Sequence, residues 1–183
     1  MMRALATGMA SESGEAMVEP PAIEREAERM ASLESIGLDR TSEAAYNELV
    51  ELAAFTAHTP MASITVIDDD VAWFKATIGF EADGLPRVDS ICGHTAAAGE
   101  PLVVPNLLED ERFVDNPLVT GPMGLRFYAG IPLEVDDGLA VGTLCVLDRR
   151  PRTFLSDDRR ALQIIGKQVA AHLMLAKQRN ATV

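Results

Sequence analysis

Apolar residues recur at helical spacing in two stretches of the first third of the chain. The first stretch predicts a helix that begins at Pro20-Pro21 and ends at Gly37, because proline suits a first turn and glycine a helix end. The second predicts a helix that is capped by Thr41 or Ser42 and ends at Pro60. The predicted buried faces are Ile23, Ala27, Met30 and Leu33 in the first helix and Tyr46, Leu49, Val50, Ala53 and Ala57 in the second.

Runs of β-branched and apolar residues predict strands in the rest of the chain. The predicted strands span residues 62–68, 71–78, 102–104, 127–135 and 139–149. The first two are joined by an Asp68-Asp69-Asp70 turn, and the last two by Asp137-Gly138, a dipeptide that favours tight hairpin turns. The chain is therefore predicted to contain two antiparallel hairpins.

Two more helices and one long irregular segment complete the prediction. Asp89 or Ser90 is expected to cap a short helix over residues 91–98, and Ser156 to start the last helix. The apolar stripe of that last helix is Leu162, Ile165, Val169, Leu173 and Ala176. Residues 106–124 carry several helix and strand breakers, and a loop of that length is typical of a functional loop or lid.

The order of elements predicts the fold class. Hairpins dominate and no βαβ repeat is visible, so we expect an α+β fold with a mostly antiparallel sheet and helices packed on its faces. Residues 1–18 are rich in small and polar residues without period, which predicts a disordered tail. Residues 19–183 are predicted to form one domain.

Charge and composition narrow the choice of partners. The chain of 183 residues has a formal net charge of -12, which disfavours nucleic acid and anionic membranes as partners. No apolar run is long enough for a membrane span, and the N-terminus makes a poor signal peptide. We therefore expect a cytoplasmic protein in which both cysteines are reduced.

Several stretches together resemble the GAF domains found beside bacterial histidine kinases and diguanylate cyclases. The resemblance is carried by residues 28–39, Trp73-Phe74-Lys75 with Gly79, Ser90-Ile91-Cys92-Gly93-His94, residues 101–106, Phe113, Asn116-Pro117-Leu118-Val119 and the hairpin over 127–151. It implies a GAF-like five- or six-stranded antiparallel sheet with helices on both faces. The first and last helices would cover one face and pair with a second subunit. The middle helix and the long loop would cover a ligand pocket on the other face.

The resemblance and the residue chemistry suggest a set of ligand-binding residues. The set is Trp73, Cys92, His94, Phe113, Arg126, Tyr128 and Cys145. Strand alternation predicts that only one residue of each adjacent aromatic pair, such as Phe127 and Tyr128, points inward. Arg112 is interpreted as a solvated loop charge. For Arg126 two interpretations stay open, a contact with a phosphate group of a ligand or an ion pair with an acidic side chain.

Cys92 and His94 suggest three more specific functions: bilin attachment, methionine sulfoxide reduction and metal binding. Bilin attachment is disfavoured because Gly93 separates the two residues and other bilin-pocket motifs are missing. A free methionine sulfoxide reductase needs a catalytic cysteine and a resolving partner close by, but Cys145 lies mid-strand and residues 107–125, where the catalytic thiol would be expected, contain no cysteine. The 3 histidines fit no metal motif, so no metal site is predicted.

The functional prediction is a non-catalytic sensory or regulatory domain that binds a small molecule and signals through dimerised terminal helices. The identity of the ligand and any cofactor stays unknown. Expected partners are the small molecule, a second copy of the chain, and a signalling protein such as a histidine kinase or a cyclase. The alternatives are a free methionine-R-sulfoxide reductase-like enzyme, or a degenerate domain that only dimerises and whose pocket is filled by its own side chains.

Overall fold

The computed structural model describes residues 17–182. Its helices are α1 (Glu26–Ile36), α2 (Ala44–Ala57), α3 (Ile91–Ala98), α4 (Pro117–Thr120) and α5 (Ser156–Ala181). Its strands are β1 (Met61–Ile67), β2 (Val71–Ile78), β3 (Gly84–Pro86), β4 (Leu102–Val104), β5 (Phe127–Val135) and β6 (Leu139–Asp148). The predicted tail falls mostly on residues 1–16, which lie outside the described part of the chain.

The strands form one 6-stranded sheet in the order β3-β2-β1-β6-β5-β4. Every neighbouring pair is antiparallel, as the hairpins predict. Strands β1 and β6 lie at the centre and are buried along their whole length. A central strand that is buried on both sides needs helices or loops on both faces of the sheet.

Two hydrophobic clusters lie on opposite faces of the sheet. On the first face, helices α1, α2 and α5 pack against residues such as Ile64 and Leu144. On the second face, α3 and the segment of residues 106–124 pack against Met61, Ile67 and Tyr128. The predicted α+β fold with helices on both faces is confirmed.

The first and last helices are joined at one end of the molecule. The side-chain amide of Asn180 in α5 donates to the carbonyl oxygen of Ile36 in α1, at 2.5 Å. Asp136, in the β5–β6 turn, accepts hydrogen bonds from Ser32 of α1 and from Lys177 of α5. The turn of the central hairpin therefore contacts both terminal helices.

The structure corrects two of the predicted helix starts and adds one strand. Helix α1 begins at Glu26, and Pro20-Pro21 lie before it outside any helix. Helix α2 begins after Glu43 without a side-chain cap, and neither Thr41 nor Ser42 caps it. The short strand β3, which pairs with β2, was not predicted. Three residues with glycine and proline carry too little local pattern to identify a strand.

One expectation about the aromatic residues is also wrong. Phe127 and Tyr128 are both fully buried, although they point to opposite faces of β5. Alternation excludes burial of both neighbours only where one face of a sheet meets water. Here both faces are covered, so both rings belong to a core.

The described residues include no helix that is long and apolar enough to cross a membrane.

Candidate functional site

The centre of the sheet presents a polar surface to helix α3. Strand β1 places Ser63 and Thr65 on that face, between the apolar Met61 and Ile67. Strand β6 pairs Cys145 with Ser63 and Thr143 with Thr65. These four side chains, which we call the polar floor, are all buried. Hydroxyl groups at the centre of a buried sheet are unusual and need partners.

Most of the polar floor is hydrogen-bonded within itself. The Ser63 hydroxyl lies 3.1 Å from the Thr65 hydroxyl and 3.1 Å from the Cys145 sulfur. Thr143 differs, because its Oγ1 is buried and has no partner at ordinary hydrogen-bond distance among the described residues, although its hydroxyl is near enough to the Cys92 sulfur to help lower the pKa of that thiol. An unpartnered buried hydroxyl costs about 1–3 kcal/mol, so its retention calls for an explanation.

Helix α3 lies directly above the floor and is positioned by its own cap. The Ser90 hydroxyl accepts from the Gly93 backbone N–H, as the sequence predicts for a capping serine. This places Cys92 and Thr95 on the side of α3 that faces the sheet. The Thr95 hydroxyl lies 2.7 Å from the Tyr128 hydroxyl, and that phenol donates to the Cys92 sulfur at 3.5 Å.

Gly130 makes room for the phenol of Tyr128. A Cβ atom at position 130 would lie 2.1 Å from the Tyr128 hydroxyl oxygen. Tyr128 therefore folds back along its own strand and occupies space between the floor and α3. Its burial raises its pKa well above the ordinary value, so the phenol stays protonated and available as a donor.

The two sulfur atoms of the site lie 3.6 Å apart. A hydrogen bond from the Cys145 thiol lowers the pKa of Cys92. The same hydrogen bond, together with burial, raises the pKa of Cys145. Cys92 is therefore the sulfur that ionises first, although α3 and the sheet enclose both.

His94 lies at the edge of the site and contacts the long loop. Its ring packs edge-on against Phe113, with 4.8 Å between the ring centroids. Its Nε2 donates to the carbonyl oxygen of Val18 at 3.2 Å. Burial lowers the pKa of His94, so the ring is neutral at neutral pH. His94 is thus held by a hydrogen bond to the backbone and by an aromatic contact.

The structure brings together five of the seven predicted ligand-binding residues. Those on the α3 side of the sheet are Cys92, His94, Phe113, Tyr128 and Cys145. Trp73 belongs to the opposite core, where the guanidinium of Arg40 lies over its ring. Arg126 donates to the carbonyl oxygens of Val119 and Leu125, so of its two open alternatives the ion pair is not formed among the described residues.

Sequence reasoning missed four polar residues of the site. They are Ser63, Thr65, Thr95 and Thr143. The signal in β1 was present, since hydroxyl residues alternate with apolar ones in its sequence. Alternation alone does not say whether the hydroxyl face meets water or a second layer. Arg112, interpreted from the sequence as a solvated loop charge, is partly exposed and forms a local ion pair with Asp110 that the sequence analysis did not predict.

Two open grooves lie elsewhere on the surface, beside helix α2. Their volumes are about 430 Å³, between α2 and α5, and about 510 Å³, beside Leu52 and Phe55. None of the seven predicted residues lines either groove. Within residues 17–182, no group of three or more His, Cys, Asp and Glu side chains could hold a metal ion.

The sequence matches both a family model and a curated protein. A family model described as GAF domain matches residues 32–173. A cyclic di-GMP phosphodiesterase of Pseudomonas aeruginosa is 35% identical over 166 residues, which are 90% of this chain and 28% of that protein. The chain thus spans less than a third of the length of the curated relative that it matches.

Solved structures with the same fold have diverse functions. The GAF domain of a phosphoenolpyruvate-protein phosphotransferase from Coxiella burnetii superposes with a TM-score of 0.65 and 16% identity, covering 84% of this chain and 94% of that one. A free methionine-R-sulfoxide reductase from Neisseria meningitidis superposes with a TM-score of 0.60 and 15% identity, and the match covers 88% of this chain and 97% of that one. At these identities the likeness shows the fold alone.

Proposed function

The chain belongs to the GAF domain family, and on that premise we propose that it is a non-catalytic sensory domain with a small-molecule site between α3 and the polar floor. Ligand binding there shifts the packing of the terminal helices, which pair with those of a second copy of the chain.

The polar floor is the observation that carries the proposal. The face of a sheet that serves only as core is normally apolar, but this one holds Ser63, Thr65, Thr143 and Cys145. Thr143 Oγ1 has no partner at ordinary hydrogen-bond distance among the described residues, so a ligand that donates to it or accepts from it would remove a buried cost. Binding sites commonly combine such polar groups with surrounding apolar and aromatic side chains.

The floor also limits the class of ligand. Its four side chains supply hydroxyl and thiol groups and no charge. A charged ligand would lose its hydration without gaining an ion pair at the floor. We therefore propose an uncharged small molecule with hydrogen-bonding groups, which enters when α3 or the ring of Tyr128 moves aside.

A chain of polar contacts connects α3 to helix α1. The 3-10 turn Arg87–Asp89 directly precedes the cap of α3. Arg87 donates to Glu26 of α1 at 2.6 Å and to the carbonyl oxygen of Asp68 at 3.0 Å. Displacement of α3 would therefore change the position of the first turn of α1. This supports a mechanism in which the ligand selects between two arrangements of the terminal helices.

An exposed apolar stripe supports pairing through helix α5. Ile164 and Leu175 are 52% and 54% exposed and lie three helical turns apart, on one side of α5. Leu52 and Phe55 of α2 are also exposed. Exposed apolar stripes on neighbouring helices are typical of a surface that a protein partner covers.

The output of the domain is proposed from its curated relative. That protein is named for cyclic di-GMP hydrolysis, and this chain matches 28% of its length. We propose that the signal from the terminal helices regulates an enzyme of cyclic di-GMP metabolism, on a longer form of the chain or on a partner. A histidine kinase is the other output expected for a domain of this family.

The test is first to detect a bound ligand and then to weaken its binding by substitution. Native mass spectrometry of freshly purified protein should show a co-purifying uncharged compound, or a panel of uncharged metabolites should yield one that raises the melting temperature. Thr143→Val should weaken binding about tenfold, the value of one hydrogen bond. Thr56→Val makes the same change in α2, on the other face of the sheet, and should leave binding unchanged.

The opposite outcome identifies the degenerate alternative. If no compound is retained and none of the panel changes the melting temperature, the site is closed by its own side chains and the domain acts only by dimerising. The buried positions of Phe113 and Tyr128 are the observations that favour this second candidate.

One structural observation supports the alternative that the chain is a reductase. The loop of residues 107–125 lacks the catalytic thiol that this enzyme would be expected to carry there, but Cys145 lies 3.6 Å from Cys92 and could act as its partner. Reduction of free methionine-R-sulfoxide, coupled to NADPH through a dithiol reductant, tests it. Turnover that Cys92→Ser abolishes would replace the sensory proposal, whereas absence of turnover in the reduced protein would leave it in place.

A further inference from the structure

The chain has 2 cysteines, and the fold brings them together. They are 53 residues apart in sequence, on α3 and on the central strand β6, yet their sulfurs are 3.6 Å apart. Both thiols are free. A disulfide bond is about 2.05 Å long, so its formation needs the sulfurs to approach by about another 1.6 Å, through rotation of the two side chains and a shift of α3.

The surroundings of the two sulfurs are unequal. Cys92 keeps 7% of its surface exposed, at the covering helix, whereas Cys145 keeps 1%, in the middle of the sheet. The Tyr128 phenol donates to the Cys92 sulfur at 3.5 Å, and the Cys92 thiol donates to the Thr65 hydroxyl at the same distance. Hydrogen-bond donors favour a thiolate. Cys92 is thus the more reactive sulfur and the one that a small oxidant reaches first.

We propose that Cys92 and Cys145 form a reversible redox pair, which hydrogen peroxide converts to a disulfide that ties α3 to the centre of the sheet. This goes beyond the sensory function proposed above and does not rest on a ligand being bound. It makes the site between α3 and the floor a point where the domain responds to oxidation.

The reaction has two balanced steps. The Cys92 thiolate attacks one oxygen of the peroxide, the O–O bond breaks, and the leaving hydroxide takes up a proton to become water; Cys92 is now a sulfenic acid. The Cys145 sulfur then attacks the Cys92 sulfur, the S–O bond breaks, and the thiol proton leaves with the hydroxide as a second water. The two thiols lose two electrons in total, and the peroxide gains them. A dithiol reductant reverses the change.

A disulfide at this place would alter the proposed site itself. It would remove the Cys145 thiol as a partner for the hydroxyl of Ser63, which lies 3.1 Å away. It would also prevent α3 from moving away from the floor. Oxidation and entry of a ligand beneath α3 would therefore oppose each other.

The first measurement is the intact mass of the full chain after treatment with hydrogen peroxide. We expect a loss of two hydrogens, reversed by dithiothreitol, and a non-reducing digest in which one species joins the peptides of Cys92 and Cys145. In Cys145→Ser, Cys92 should accumulate as a sulfenic acid that dimedone traps. In Cys92→Ser, the trap should label Cys145 much less.

A second variant tests the roles of the two sulfurs without removing either. Tyr128→Phe deletes one donor to Cys92 and should slow oxidation about two- to tenfold at neutral pH, the range for one hydrogen bond. Tyr46→Phe makes the same change in the opposite core and should leave the rate unchanged. A pH profile of the rate in Tyr128→Phe should move to higher pH, which a purely structural effect would not produce.

Either of two results would overturn the proposal. One is that the folded protein keeps both thiols through peroxide treatment, while the protein unfolded in urea oxidises readily. The other is that oxidation yields only disulfides between chains. Failure to find a ligand bears on neither result, so the two proposals stand or fall separately.

Discussion

At the scale of single residues, Glu26 shows how the fold changes an ordinary carboxylate. It accepts from Arg29 at 2.7 and 2.8 Å and from Arg87 at 2.6 Å. Arg29 is fully buried and also donates to the carbonyl oxygen of Ile67. The hydrogen bonds from Arg29, followed by those from Arg87, lower the pKa of Glu26 from 4.5 to about 2.

This lowered pKa predicts how stability depends on pH. The unfolded chain binds a proton at Glu26 at higher pH than the folded chain does, so stability rises with pH in this window. The contribution is complete above pH 4.5 and is lost as the pH falls toward about 2. In urea denaturation at a series of pH values, the free energy of unfolding should fall less steeply toward acid pH for Glu26→Gln than for the native chain. Glu34→Gln, at an exposed position of the same helix, is the control, and an equal change in both variants would contradict the assignment.

Gly130 gives a second prediction at this scale. Gly130→Ala should destabilise the protein by about 1–3 kcal/mol, because the added methyl group overlaps the Tyr128 phenol in a packed core. Chemical denaturation measures the loss. In Gly166→Ala, in α5, the added methyl group would lie 3.0 Å from a methyl group of Ile131, and alanine also has the higher helix propensity. This variant should therefore lose less stability than Gly130→Ala. Equal costs would mean that the Tyr128 ring moves aside freely.

At the scale of elements, α3 is a short helix whose position depends on its cap. Ser90 accepts from the Gly93 N–H, and its side chain is buried. Ser90→Ala should lower the free energy of unfolding by about 1 kcal/mol and speed hydrogen exchange within residues 91–98. Ser90→Asp keeps an acceptor at the cap and should retain most of the protection. Unchanged exchange in Ser90→Ala would show that packing against the sheet alone holds α3.

Sequence reasoning worked best for elements with strong local signals. The spans of β2, α3, β4 and β5 match their predictions, and the predicted stripe of α5 is buried as expected. It failed where the local signal was ambiguous, as at Pro20-Pro21, which opens no helix, and at β3, which depends on its pairing with β2. Local patterns report helix and strand preference but not which distant segment supplies a partner.

At the scale of the whole molecule, the exposed stripe on α5 makes dimerisation testable. Leu175→Glu places a charge in the proposed seam and should shift the protein from dimer toward monomer in light scattering after size-exclusion chromatography. The melting temperature should then become less dependent on concentration. Leu108→Glu, at a residue that is 45% exposed on the α3 side, is the matched control. A monomeric native chain, or a dimer that Leu175→Glu leaves intact, would contradict pairing through this face.

The sequence by itself determined the fold class and most of the longer helices and strands. Hydrophobic spacing, caps and turn dipeptides act over a few residues, so they could be read from positions such as Ser90 and Asp137-Gly138. The combination of motifs was also enough to identify the family. Cys92 and His94 were picked out for the same reason, because residue type and the start of a helix are local properties.

Only the tertiary structure decided which of these residues meet. It placed Trp73 in the opposite core, set Thr143 across from Thr65, and brought Cys145 within 3.6 Å of Cys92. It also linked Arg87 to Glu26, 61 residues apart in the chain. Strand register and the face that each strand presents arise from packing between segments far apart in sequence, and no short window of the chain contains that information.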